Sequence, residues 1–203
     1  MHIAFIPLIV RKLLPKGIIW SIKSEKTLYL TFDDGPVPEV TPKVLQILKE
    51  YNAKATFFCV GNNVTKYPEL FQQILDEGHL TGNHTFSHLN GFRSENKKYF
   101  ADIEKCNGYI DSIYFRPPHG RMTPAQYKLL IKKYRIVMWT VLTGDYNKSL
   151  SNETVLRNAL RYSKDGSIIV FHDSIKASER MLYALPAFLK HFSQRGYKFE
   201  VIS

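Results

Sequence analysis

Cysteine is scarce in this chain: Cys59 and Cys106 are the only two in 203 residues. Cys59 sits in an apolar run that reads as a core strand, Cys106 in a mixed segment, and no C-x-x-C spacing joins them. A disulfide framework and a thiolate zinc site are therefore excluded as organising devices. Long apolar runs are missing too. The apolar opening stretch, residues 1–10, falls far short of the roughly 20 residues that a bilayer-spanning helix needs. It also lacks the marks of a cleavable export signal, because the basic pair Arg11-Lys12 follows it instead of preceding it and no small-residue cleavage site comes after. Residues 1–26 are expected to pack on the domain, with a weak membrane-surface contact as the alternative, and the expected location is cytoplasmic or membrane-peripheral rather than secreted. Acidic residues are in deficit, 18 against 28 Lys and Arg, a formal net charge of +10. That excess draws a protein towards phosphates, anionic cell-wall polymers or acidic lipid. It is dispersed as Lys97-Lys98, Lys132-Lys133 and isolated Arg, without a dense tract or a helix-turn-helix or zinc-finger pattern, so no specific nucleic-acid partner is expected.

What is present is ordinary globular material: 44% hydrophobic and 23% charged residues, enough to bury the core of one α/β domain, with no repeat or linker to divide residues 27–203. Short β-rich runs alternate with longer amphipathic stretches. Strands are predicted at 27–32, 55–60, 79–83, 113–116, 136–140, 167–171 and 198–202, and helices at 38–51, 67–77, 94–107, 123–134, 152–162 and 179–194. Thr41-Pro42 and Thr123-Pro124 read as helix starts, and Gly61, Gly78, Gly166 and Gly196 as punctuation. The alternation predicts about seven parallel strands, as an open doubly wound sheet or as a closed or nearly closed barrel; periodicity leaves both open. Asp33-Asp34, His84, His88, Arg116, Asp145 and His172 each follow a predicted strand, which in either architecture brings them to one rim.

Five segments carry chemistry. In Thr31-Phe32-Asp33-Asp34-Gly35-Pro36, two carboxylates at a strand end can divide their roles, one ligating a metal and the other taking a proton; alone, the segment is equally a turn with solvated acids. Asn83-His84-Thr85-Phe86-Ser87-His88 places two histidines four apart, on the same side of an expected helical turn, and imidazole nitrogen is a favoured zinc ligand. Catalytic zinc commonly takes three protein ligands and leaves a position for water, and Asp34 completes the set. Phe115-Arg116-Pro117-Pro118-His119-Gly120 is a rigid loop that is either a stiff surface turn or a device that aims a backbone N–H at an oxyanion while the Arg holds a carboxylate. Residues 139–146 end in Asp145 and Tyr146, and Ile169-Val170-Phe171-His172-Asp173 places at a strand end a histidine suited to a general acid whose pKa is set by a carboxylate such as Asp145.

In this order, from Thr27 to the C-terminus, the segments resemble those of the polysaccharide deacetylases, the NodB-homology carbohydrate esterases. The resemblance implies a distorted, incompletely closed (β/α) barrel and one divalent metal ion, usually zinc. It implies Asp33 as catalytic base, Asp34, His84 and His88 as metal ligands, Arg116 as the residue that positions Asp33, His172 as general acid and Asp145 as the group that tunes it. It further implies oxyanion binding by a backbone N–H of the Pro118-His119 loop. The expected reaction is release of acetate from an N-acetylglucosamine-containing oligo- or polysaccharide, whether chitin-like, peptidoglycan or a surface polysaccharide. The alternatives are an O-acetyl esterase on acetylated xylan-like chains and a carbohydrate binder without turnover. Three departures mark this chain: His119 where the family often has Tyr, Leu142 and Tyr146 where it often has Asp and Trp, and Phe171 where it often has a Leu that lines the pocket for the acetyl methyl.

Overall fold

The computed structural model describes residues 16–203. Strand β1 (Thr27–Asp33, TLYLTFD) is buried from its second residue to its last and lies at the centre of the sheet. It pairs in parallel with β2 (Ala55–Cys59) on one side and β7 (Ile168–His172) on the other. Burial on both faces explains why all three read as near-continuous apolar runs instead of alternating ones. β3 (Leu80–Asn83), β4 (Tyr114–Phe115), β5 (Arg135–Ile136) and β6 (Val141–Leu142) complete the order β5-β4-β3-β2-β1-β7-β6, while β8 (Lys198–Phe199) joins the start of β1. The seven strands of the main path run parallel in a curled sheet that stays open as a half-barrel, the incompletely closed barrel expected.

Alternation along the central strands sorts the side chains into two layers. Leu28, Leu30 and Phe32 of β1 join Phe57, Ile169 and Phe171 in the core beneath the helices, whereas Tyr29, Phe58 and Val170 face the barrel interior with Trp139. The helices α1 (Thr41–Glu50), α2 (Gly61–Lys66), α3 (Pro68–Asp76), α4 (Asn96–Asn107), α5 (Pro124–Leu130), α6 (Asn152–Tyr162) and α7 (Ser178–Ser193) cover the outer layer. α5 opens with a full capping box, Thr123 with Gln126, and α6 with Ser151 accepting from the Thr154 N–H. The short α2 lies outside the predicted helices: GNNVTK carries too little apolar periodicity to declare itself, and its first residue is glycine where a Cβ would press on Phe86.

The strand predicted at 136–140 is instead a crossing. β5 ends at Ile136, β6 begins at Val141, and the run between them passes from one edge of the sheet to the other. A buried guanidinium explains the break, since Arg116 takes the carbonyls of Val137 and Met138 at 3.2 and 3.0 Å. Residues 19–22 lie over the same opening: Ile19 bridges Val137, and the Ile22 N–H donates to Gly166. Of the segment expected to pack on the domain, residues 1–15 lie outside the described residues.

Candidate active site

Arg116, just past β4, is fully buried. A guanidinium carries a heavy desolvation cost unless its hydrogens are matched, and here four of the five are: Nη1 donates to Asp33 Oδ1 and Thr31 Oγ1, both at 2.7 Å, besides the two carbonyl bonds already described. The Phe58 ring lies 4.1 Å beneath it. Burial lowers the Arg116 pKa while the Asp33 charge raises it. Asp33, at the last position of β1, is thereby held by one oxygen.

The chain then turns sharply. Asp34 adopts φ 83°, and Gly35 is obligatory because a Cβ there would collide with the Asp173 carboxylate. Asp173 ties the turn down: its Oδ1 accepts from the Gly35 N–H at 3.1 Å, its Oδ2 from the Thr41 hydroxyl at 2.6 Å, and its own N–H donates to the Asp33 carbonyl at 3.2 Å. Burial, against the Thr41 hydrogen bond, pushes its carboxyl up to about 8.

Facing Asp34 stands the loop after β3. The helical turn expected across 84–88 does not form, because Thr85 and His88 take left-handed φ values of 64° and 55°, which no helix admits. Side chains shape the loop instead. Asn83 Oδ1 accepts from the Thr85 N–H, Thr85 Oγ1 from Leu89, and Asp102 from Ser87. The two imidazoles still converge, their centroids 5.1 Å apart. His84 Nδ1 lies 2.7 Å from the Arg116 carbonyl, an acceptor only, so Nδ1 carries the proton. Burial lowers the His84 pKa to about 4, against the charges of Asp33 and Asp34, so the ring is neutral. Its Nε2 is then a bare lone pair, 3.8 Å from Asp34 Oδ1 with no hydrogen between them, and His88 Nε2 lies 3.1 Å from the same oxygen. One ligand atom from each of Asp34, His84 and His88 falls within 4.8 Å of the others, a group able to hold a metal ion. Two acceptors aimed at one point are satisfied by a cation, and the Arg116 carbonyl, by fixing the His84 tautomer, turns Nε2 towards that point as a metal site requires.

On the opposite side, His172 ends β7. Its Nδ1 lies 2.8 Å from Asp145 Oδ1, and its backbone N–H donates to Oδ2 at 2.7 Å. Asp145 is fully buried; Oδ1 also accepts from the Tyr146 N–H, and the Asp145 carbonyl is held by Arg180 Nε at 2.7 Å. Burial would lower the His172 pKa, but the Asp145 charge and hydrogen bond prevail and raise it to about 10. The Tyr146 ring meets the imidazole edge-on at 5.0 Å.

Between the two sides, Pro118 is buried and the turn doubles back through His119 and Gly120, at φ 59° and 65°. The Gly120 and Arg121 N–H groups are spent on Pro117 and Pro118 carbonyls, which leaves the His119 N–H outside the turn's own bonds. A cleft of about 610 Å³ collects Asp33, Asp34, His84, His88, His119 and His172 over an apolar wall of Trp139, Leu142 and Val170.

A model of the family described as polysaccharide deacetylase matches residues 21–139. The chain belongs to the polysaccharide deacetylase family. It is 33% identical to a peptidoglycan-N-acetylglucosamine deacetylase of Bacillus cereus, over 97% of this chain and 96% of that one. It is 34% identical to a chitooligosaccharide deacetylase of Azorhizobium caulinodans, over 79% and 80%. A crystal structure of a peptidoglycan N-acetylglucosamine deacetylase bound to an N-oxidanyl-benzamide superposes with a TM-score of 0.86 at 31% identity, covering 98% of this chain and 95% of that one.

For this polysaccharide deacetylase chain the structure gathers Asp33, Asp34, His84, His88, Arg116, Asp145, Tyr146, His119 and His172 at one rim. Phe171 is not among them. It is fully buried beneath the helices, 6.0 Å from Phe32 and 6.1 Å from Phe188 between ring centroids, and Val170 takes the place in the cleft wall. The reason is the period of two along a strand: with His172 facing the cleft, its neighbour must face away and Val170 towards it. Pro118 likewise stays out of the cleft lining and acts only through the path it imposes. His119 packs its ring 4.7 Å from His88 but does not join the three-ligand group. Sequence reasoning missed Asp173 and Arg180. The Asp173 role was hinted at by the dipeptide His172-Asp173, whereas nothing local marks an arginine on α7 as the partner of the Asp145 carbonyl.

Proposed function

We propose that the chain is a metal-dependent hydrolase that removes N-acetyl groups from an N-acetylglucosamine-containing polysaccharide and releases acetate. The observation that carries this reading is the bare His84 Nε2 facing the Asp34 carboxylate, beside an Asp33 already held by a buried arginine. Two imidazoles and one carboxylate suit Zn²⁺ with positions left open. A divalent cation bound there supplies Lewis acidity, polarising the acetamide carbonyl and making water more acidic.

The chain's own groups do the rest. Asp33 takes the proton of the attacking water through the oxygen that Arg116 leaves free, while the arginine keeps the carboxylate from rotating away. The His119 N–H donates to the developing oxyanion. His172 faces the cleft as an imidazolium, because Asp145 holds its pKa high; it passes a proton to the departing sugar amine, which could not leave as an anion. Val170, Leu142 and Trp139 supply the apolar wall for the acetyl methyl.

The test is acetate release from N-acetylglucosamine oligomers by chelator-stripped protein with and without zinc. Release restored by zinc and abolished in Asp33→Asn is the expected result. Absence of release with every divalent metal, from those oligomers and from acetylated xylan, would leave a binding role in its place.

A further inference from the structure

The two loops that carry the possible metal ligands are tied together by one short stretch of chain, residues 59–63, which runs from the end of β2 into α2. On one flank it reaches the turn of Asp34: the Val60 N–H donates to the Gly35 carbonyl at 3.0 Å, and Asn63 Nδ2 donates to the Asp34 carbonyl at 2.8 Å. On the other flank it reaches the loop of His84 and His88. The Cys59 carbonyl accepts from the His84 N–H at 3.0 Å, the Gly61 N–H donates to the Thr85 carbonyl at 3.0 Å, and the Asn62 N–H donates to the Phe86 carbonyl at 2.9 Å. All but one of these bonds are main-chain bonds, set by the path of the chain. Only the bond from Asn63 depends on a side chain, and it falls where the backbone is under load. Asp34 is held at φ 83°, a left-handed conformation that is costly for a residue with a Cβ. The peptide plane between Asp34 and Gly35 is pinned at both edges, its N–H by Asp173 Oδ1 at 3.1 Å and its carbonyl by Asn63. A carbonyl only accepts, so the amide nitrogen of Asn63 and not its oxygen faces it. With one edge released the turn is free to relax, and the Asp34 carboxylate shifts relative to the Nε2 atoms of His84 and His88, which lie 3.8 and 3.1 Å from its Oδ1.

We propose that Asn63 is a positioning residue for the metal centre: its amide fixes the span between the Asp34 turn and the His84–His88 loop by anchoring the Asp34 carbonyl to α2, whose first residues hold the histidine loop. The inference rests on the metal-binding reading of Asp34, His84 and His88 given above. Asn63 does not join the ligand group; it acts through the backbone of one of its members. It is half-buried and outside the apolar core, so its work lies in the separation of the ligands and not in the packing of the fold. Groups that orient ligands in this way govern metal affinity, and their loss weakens it by roughly 10–100-fold.

Zinc affinity is the readout, measured on chelator-stripped protein by competition with a chromogenic chelator, together with the Tm of the apo protein. Asn63→Leu keeps the size of the side chain and removes its donor. Thr65→Ala is the comparison, because Thr65 Oγ1 donates to the Asn62 carbonyl at 2.8 Å, a bond inside α2 that reaches neither ligand loop. Asn63→Leu is expected to weaken zinc binding on the order of tenfold while the apo Tm stays within a few degrees of wild type, and Thr65→Ala to leave the zinc Kd within about twofold. Equal zinc affinity in wild type and Asn63→Leu overturns the inference and leaves the metal site standing. An equal loss in Thr65→Ala overturns it as well, since the effect would then belong to helix stability, and so does a loss in Asn63→Leu matched by a large fall in apo Tm. Wild-type protein that takes up no zinc defeats the metal reading itself, and the inference with it.

Discussion

Two sets of groups around the cleft are built on opposite principles. At Arg116 and, across the cleft, at Asp145 the charges are saturated: both groups are fully buried, and each is matched by hydrogen bonds from neighbouring strands or loops. At Asp34 and His88 the groups are 28% and 31% exposed, and His88 Nε2 and the bare His84 Nε2 both face Asp34 Oδ1. The first set is complete in itself. The second is a group able to hold a metal ion, and in the function proposed above a cation completes it. A site that must deliver protons at fixed atoms benefits from rigid saturation, whereas one that must take up an ion from solvent needs an open approach and ligands left in want.

Breaking the saturated set should have the largest effect. Arg116→Ala strips a buried carboxylate of its partner, and a loss of about 3–5 kcal/mol in unfolding free energy is expected from the urea midpoint. Adding Asp33→Asn to it should recover part of that loss, since the stranded charge goes with it; additive losses would show that the two residues do not act as a pair. The open set should respond to zinc rather than to truncation. Zinc at about 100 times its Kd should stabilise the wild type by about 2.7 kcal/mol, seen as a rise in Tm. His88→Ala should keep the apo Tm within a few degrees and forfeit the zinc response.

A pH series sharpens the comparison further. His172 has a folded pKa raised to about 10 from 6.5, so its pairing with Asp145 stabilises fully below the unfolded value and the gain is lost as pH rises through 10. Urea midpoints measured at pH 6, 8 and 10 should decline accordingly in the wild type and flatten in Asp145→Asn. In that variant only the charges of Asp34 and Asp33 still oppose burial at the ring, so the alkaline limb of acetate release should move to lower pH.

Much of the fold was legible because its central strands are buried on both faces and its helices carry amphipathic stripes; β1, β2, β7 and α6 fall close to where the pattern puts them. The misreadings share one cause, a distant partner. The strand over 136–140 dissolves because Arg116 claims its carbonyls, and the His84–His88 loop leaves the helical path because Asn83, Thr85 and Asp102 bind its N–H groups. Phe171 is a different lesson: strand alternation counted back from His172 assigns Val170 to the cleft with no structure at all.

The sequence by itself determined the family, the parallel order of β and α, and the residue types of the site, because apolar period, turn chemistry and motif order are all local. Only the tertiary structure decided which lone pairs face one another, that His84 presents Nε2 and not Nδ1, and that Asp173 and Arg180 brace the backbone at Gly35 and Asp145. Those facts depend on groups brought together from opposite ends of the chain, where direction and distance, not residue type, set the chemistry.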